Sequence, residues 1–512
     1  MLHPRWSFAL GGAVSAAISL ASGAACDPHP RPFPADPNGS DPPDGGGAIG
    51  KLYANDPSMA VWQQYGVPDR LVLAYTDESG LFDADERTQR LVPKARRSAN
   101  GVSYSSDYGK TWTRVGTIPP APATCASPPC AIALAGAPAL SENETVKTVD
   151  YVSLAYTRDD VAAPDAIATM STLDLVHWSE PRVAIYIPGR PPSRPSFSRR
   201  ASSSVVAFTD RVKGQLFVAS AEQDPPVFKI ETPSVGRLAD DDVYKDRPLV
   251  RLASQADGYI AYIIPRAEDG STFDLRVIHI YRTVDISGTT TPWNASTIFL
   301  MNKITIDPTL PGALGRAWRD AYPFSFEIGD RGNHFYLAYR QRSTSTGQSE
   351  IYFFDCDARD GGNCAIEDAG QLTPGWRVRH FPPTSYTGGQ FMPIVAADRY
   401  STAASLAWFQ ETEPGSGSFT LMGLSTKDSG DHLTAPRDLR AGQGGAWSPC
   451  PTASTIAAGV HSYGEHSASI VLPWDPMVSA EPTFVTAHAD SSYGCKDTGE
   501  LTFDQHIGVT SW

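Results

Sequence analysis

The sequence predicts an all-β fold, a β-propeller of four-stranded blades, and three observations carry that expectation. Short runs rich in Val, Ile, Tyr, Phe and Thr recur between clusters of Gly, Pro, Asp and Ser, with no long segment of 3.6-residue periodicity. The runs repeat as a unit: a Pro that opens one strand, an apolar second strand about 12 to 20 residues later, and a third strand leading into a polar turn. A sheet built from such a unit has two apolar faces to cover, and radial stacking covers both while leaving only short edges exposed.

The chain opens on "MLHPRWSFALGGAVSAAISLASGAAC", a basic start at Arg5, an apolar run from Trp6 to Leu20, and small residues before Cys26. This reads as a secretory signal over residues 1–25 and not as a membrane span, because the run is short and rich in Gly and Ala. The ending "LASGAAC" resembles a bacterial lipobox, which implies a lipid on Cys26 and anchoring to the cell envelope, although Gly23 stands where a larger residue is usual. The alternative is cleavage at Ser22-Gly23-Ala24 and a secreted product with Cys26 an ordinary thiol. Residues 26–50, rich in Pro, Gly and Asp, cannot build a core and are expected to form an extended, disordered tether.

Residues 51–512 form the expected propeller domain, and seven units can be counted in it. The opening prolines are Pro57, Pro138, Pro195, Pro248, Pro323, Pro393 and Pro451. The second strands are "RLVLAYTD" from Arg70, "YVSLAYTR" from Tyr151, "SVVAFTDR" from Ser204, "GYIAYIIP" from Gly258, "HFYLAYRQ" from His334, "ASLAWFQE" from Ala404 and "ASIVLPWD" from Ala468.

The seven cysteines are an odd number for an oxidising compartment, and removing Cys26 leaves three pairs. Proximity suggests Cys125 with Cys130, Cys356 with Cys364, and Cys450 with Cys495, although spacing alone does not fix the connectivity. A net charge of −14 without a block of Lys and Arg argues against a nucleic-acid partner. The chain carries no His-x-x-x-His pair, Gly-x-Ser-x-Gly elbow or phosphate-cradling Gly loop, and "DCDARDGGNC" lacks the placement of a calcium loop. No cofactor or metal is expected, and the chain is expected to be a monomer.

The sharpest turn is "SSDYGKTW", in which Asp107 can accept hydrogen bonds from turn amides and Gly109 can take a backbone angle other residues resist. Weaker versions stand at Ser171 to Trp178, Thr283 to Trp293 and Ser425 to Pro436. With Ser105, Asp107, Gly109, Thr111 and Trp112 all in place, the stretch resembles the Asp-box of the sialidase-like β-propellers. That resemblance implies six blades, against the seven units counted here, so six or seven are expected. It also makes the box residues scaffold, remote from any chemistry.

In a propeller, the residues just ahead of each opening Pro converge at the mouth of the central channel. Those positions hold Arg194, Asp246 with Arg247, Arg319 with Asp320 and Tyr322, and Tyr386 with Gln390. Guanidinium groups from several directions suit a carboxylate. The resemblance to sialidases implies an arginine triad, a tyrosine nucleophile helped by a carboxylate, and an aspartate as acid/base. Arg194, Arg247 and Arg319 are the candidates for the triad, Tyr322 or Tyr386 for the nucleophile, and Asp83 or Asp85 for the acid. The match is incomplete: "DPSMAVW" in the first unit has no arginine, and Arg194 and Arg247 stand one residue before Pro where the family's arginine stands two before.

The expected function is therefore that of an exported propeller acting on or binding cell-surface glycans, with exo-sialidase-type hydrolysis or carbohydrate or protein binding without catalysis as the two readings. "STLDLVHW" prompts a third, a five-bladed furanosidase-like hydrolase, against which the seven units count.

Overall fold

In a computed structural model of the full chain, the described residues lie mainly within 54–512 and are nearly all β, with one 3-10 turn at Asp330–Gly332. The stretches 1–32, 35–53, 78–81, 86–89, 94–98, 119–133, 141–151, 160–165, 222–228, 236–242, 284–290, 307–321, 382–386, 440–466 and 491–505, with shorter gaps, lie outside them.

The strands of the described residues form seven sheets of four or five strands, and two two-stranded ribbons besides. The first sheet runs Ala54–Gln64, Val67–Asp77, Ala99–Ser105, Thr113–Ile118, and the second runs Leu134–Leu140, Val152–Asp159, Ala166–Thr172, Arg182–Ile185. The third is Ser196–Arg200, Ser203–Thr209, Leu216–Ala221, Lys229–Glu231. The fourth is Asp246–Leu252, Asp257–Pro265, Thr272–Tyr281, Asn294–Thr305, with Ser234–Val235 alongside in parallel. The fifth is Phe324–Gly329, His334–Arg342, Ser349–Asp357, Trp376–Phe381, and the sixth is Gln390–Ala397, Ala404–Glu411, Phe419–Thr426, Arg437–Asp438.

The seventh sheet corrects the sequence reading. Ala468–Val471, expected as a second strand, is the first; Phe484–Asp490 and His506–Ser511 follow, and Phe33–Pro34 pairs with the last of these. With Phe33–Pro34 supplying an outer strand, the described C-terminal residues provide the other three. The rest of the expected tether lies outside the described residues, as do residues 1–25 with their signal reading.

The strands are apolar on both faces, as in "SSVVAFT" of Ser203–Thr209, buried at every position. Their partners are the neighbouring sheets. One core lies between sheets one and two around Trp62, Val72, Leu154 and Met170. Others join two to three around Ile167 and Phe208, three to four around Val205 and Ile260, four to five around Leu275 and Phe335, and five to six around Phe353 and Trp408. Sheets six and seven meet through Ala396, Val471 and Phe484, and the seventh returns to the first through Val485, Val509, Leu71 and Met59.

First strands sit beside first strands throughout this series, including Ala468–Val471 beside Ala54–Gln64. Serines fix their relative height: Ser196 Oγ accepts the Val250 amide at 2.9 Å, Ser198 Oγ that of Leu252 at 3.0 Å, and Ser325 Oγ that of Val395 at 3.0 Å. All seven sheets therefore point the same way. The opening prolines mark one end, and the turns joining first to second and third to fourth strands mark the other.

Candidate functional site

At the proline end, the first strands are irregular. Their pairing is interrupted between Asn55 and Ser58, Gly136 and Ala139, Asp246 and Leu249, and Phe391 and Ile394, each time around the opening Pro. A Pro has no amide to give to the ladder, so the strand bulges there. In two of these bulges the residue before Pro takes a left-handed angle, Arg247 at φ 54° and Met392 at φ 47°. Such angles cost a side-chain-bearing residue about 1–2 kcal/mol and re-aim what they carry.

Between the first strands lies a cavity of about 70 Å³ lined from six of the seven sheets: Ser58 and Met59, Arg194 to Phe197, Leu249 and Arg251, Tyr322 with Ser325 and Glu327, Ile394 and Val395, and Ser467 to Ile470. Its charged side chains are Arg194, Arg251 and Glu327, one net positive charge in a chain of −14. Arg194 is 5% exposed. Arg251 Nε donates to Glu327 Oε1 at 2.6 Å, across the boundary of sheets four and five, and Arg251 Nη1 donates to the Val250 carbonyl at 2.8 Å. Glu327 stands four residues beyond Pro323, roughly 13 Å further along the strand direction than that Pro.

The residues expected at this end are distributed as follows. Arg194 and Tyr322 line the cavity. Arg247 lies beside it, its guanidinium over the Tyr322 ring at 5.8 Å, with its amide bonded to Asp246 Oδ1 at 2.9 Å and Nε 3.6 Å from Asp246 Oδ2. Asp83 and Asp85 belong to a ribbon, Phe82–Asp85 with Arg90–Pro93, inserted between the second and third strands of sheet one and so connected at the proline end. Their side chains, and Arg319 and Tyr386 as a whole, lie outside the described residues. Arg251 and Glu327 were not singled out from the sequence; the available signal was a lone charge inside an apolar first strand, in "PLVRL" and "FSFEI".

The turns read from the sequence as resembling Asp-boxes stand at the opposite end. Ser105 Oγ donates to Asp107 Oδ1 at 2.8 Å and accepts the Gly109 amide at 2.8 Å; Asp107 also takes the Thr111 amide at 2.8 Å and hydroxyl at 2.6 Å. Gly109 is left-handed at φ 89°, and Trp112 packs between sheets one and seven. The same wiring recurs at Thr426, where Thr426 Oγ1 accepts the Gly430 amide at 3.0 Å and Asp428 accepts the His432 amide at 2.9 Å and ring Nδ1–H at 2.6 Å. At Thr172 the turn is one residue shorter, with Leu175 at φ 67° in the glycine's role and His177 bonded to Asp174 at 2.6 Å. Histidine thus replaces the threonine of the first box. The fourth such turn, Thr283 to Trp293, lies partly outside the described residues.

Cys356 and Cys364 form a disulfide with Cα atoms 5.9 Å apart, while Cys26, Cys125, Cys130, Cys450 and Cys495 lie outside the described residues.

No family model and no curated protein matches the chain. Among solved structures it is similar to the phage phi92 endosialidase, at 7% identity and a TM-score of 0.41 over 91% of this chain and 68% of that one. A neuraminidase-like protein of A/little yellow-shouldered bat matches at 7% identity and 0.35, over 74% and 95%. An α-L-arabinofuranosidase from Fusarium graminearum, in complex with an iminosugar inhibitor, matches at 13% and 0.37, over 74% and 98%. Likenesses this distant carry no function to this chain.

Proposed function

We propose that this chain is a seven-bladed, sialidase-like β-propeller that receives an acidic glycan at the proline end of its central channel, acting as a monomer exported and held to the cell envelope by a lipid on Cys26. Seven sheets with a core between each neighbouring pair, and three turns wired as Asp-boxes, support the architecture. The observation that carries the function is the net positive cavity with buried Arg194, in a chain that is otherwise acidic. A guanidinium presents paired donors that match a carboxylate, and one already withdrawn from water loses little more on binding. The cavity accepts a group the size of a carboxylate, which leaves the sugar ring at the mouth above.

Of the two glycan readings, binding is favoured over hydrolysis. A phenol with an ordinary pKa near 10 needs a carboxylate within hydrogen-bond reach to become a nucleophile. Tyr322 is 2% exposed and packed in the core between sheets four and five, and the first unit's "DPSMAVW" offers no arginine to complete the family's triad. Calorimetric titration with sialic acid and with its methyl ester tests the reading. The acid binds and the neutral ester does not, and Arg194→Gln weakens the acid about 10- to 100-fold, the worth of one charge-assisted hydrogen bond. Equal binding of acid and ester, or an Arg194→Gln variant that is folded by circular dichroism and unaffected, overturns it. Steady release of dye from a fluorogenic sialoside would select hydrolysis instead.

A further inference from the structure

The donors of the central cavity are not confined to its arginines. Three buried serines on its wall come from three alternate sheets: Ser196 from sheet three, Ser325 from sheet five, and Ser467 just ahead of the first strand of sheet seven. In the radial arrangement proposed above, their hydroxyls approach the channel from three sides.

A serine hydroxyl can accept and donate at once. Ser196 Oγ and Ser325 Oγ each accept one backbone amide, from Val250 and Val395, and no acceptor among the described residues takes the O–H proton that each has left to give. Ser467 Oγ donates only to the Met392 sulfur at 3.1 Å, a weak acceptor that an anion displaces. The one carboxylate on the wall, Glu327, is already held by Arg251. The groups left to meet a ligand are therefore the Arg194 guanidinium and three hydroxyls. Much of the remaining wall is apolar, Met59, Phe197 and Leu249 included, so a charge-assisted hydrogen bond formed here is stronger than the same bond in water.

A carboxylate does not use all of these donors. Its two oxygens lie in one plane, and the paired donors of a single guanidinium engage both from one side. A sulfate ester carries the same single charge on three terminal oxygens arranged as a tripod. It can keep two oxygens on Arg194 and turn the third, with the outward lone pairs of the others, toward the serines. The cavity of about 70 Å³ holds a group of that size.

We infer that the acidic group received in this cavity is the sulfate ester of a sulfated glycan, bound by Arg194 together with Ser196, Ser325 and Ser467. The inference rests on the acidic-glycan reading above and narrows its substrate class. The serines give the preference, because buried donors that a carboxylate leaves unmet count against it, while the sulfate meets them.

Calorimetric titration with three sugars that differ only in the group on the last carbon tests the inference: galactose 6-sulfate, galacturonic acid and galactose. The sulfate ester binds about tenfold more tightly than the carboxylate, the worth of one further charge-assisted hydrogen bond, and galactose gives no heat of binding. Ser467→Ala, which removes a hydroxyl bonded only to a thioether, weakens galactose 6-sulfate about tenfold and galacturonic acid less than about twofold. Ser325→Ala, shown to be folded by circular dichroism, repeats that pattern, whereas Arg194→Gln weakens both acids. Galacturonic acid bound as tightly as the sulfate ester, or serine variants that weaken the two alike, overturns the sulfate assignment and leaves the acidic-glycan reading standing. Heat from neither acid removes both.

Discussion

Replacing Asp355 with Asn should cost this protein about 2–4 kcal/mol, because Asp355 is the anchor of a latch between sheets five and six. Its carboxylate is fully buried on Ser349–Asp357 and accepts Arg377 Nε at 2.6 Å; Arg379 Nη1 donates to its other oxygen, and His334 Nε2 lies 3.4 Å away. The same two arginines reach across to sheet six, where they donate to the carbonyls of Ser429 and Gly430 in the turn around Asp428. Deleting one partner of a buried ion pair typically costs about 3–5 kcal/mol. Here Arg377 and Arg379 are 36% and 26% exposed and can recover some hydration, which lowers the figure. Urea unfolding with the m-value monitored is the assay. Asp355→Asn should lower the midpoint with m unchanged, and adding Arg379→Met to Asp355→Asn should restore part of the loss by removing the stranded charge. A loss below about 0.5 kcal/mol, the level of an ordinary surface change, would refute the latch.

Two further predictions concern stability. Burial pushes the Asp428 carboxyl up, but the His432 amide and ring and the Thr426 hydroxyl outweigh it and bring it to about 2 from an ordinary 3.8. A carboxyl depressed by folding stabilises above its unfolded pKa and loses that contribution as pH falls toward the folded value. The gap in melting temperature between wild type and Asp428→Asn should thus be full at neutral pH and close between about pH 4 and pH 2; a gap constant over that window contradicts the assignment. Cys356 and Cys364 close a loop of sequence separation 8, worth about 2.5 kcal/mol of chain entropy. Cys356→Ala with Cys364→Ala should lose about that much in chemical unfolding, whereas an unchanged midpoint would mean that the bond closes nothing that matters.

Six second strands, from Arg70 to Glu411, were legible because each is an unbroken apolar run between turn residues, and a strand covered on both faces can be little else. Periodicity cannot reveal that a chain's first residues complete its last sheet. Phe33–Pro34 looks like part of a Pro-rich tether, and its pairing with Gly508 and Val509 shifted the whole seventh unit by one strand. The channel was half legible. Looking ahead of each opening Pro found Arg194 and Tyr322, but first-strand residues beyond the Pro line the cavity as well, and Arg251 and Glu327 entered that way. The turns at Thr172 and Thr426 match the first less closely in sequence because a histidine stands in for threonine, and the former also has Leu175 in place of the glycine; the hydrogen bonds to Asp174 and Asp428 are nevertheless of the same kind.

A crystal structure with sialic acid bound decides whether Arg194 receives an acidic glycan. Seven sheets about one axis are expected, with the ligand's carboxylate paired with the Arg194 guanidinium at the proline end, within hydrogen-bond distance. A ligand seated on an outer face with Arg194 uninvolved would contradict it.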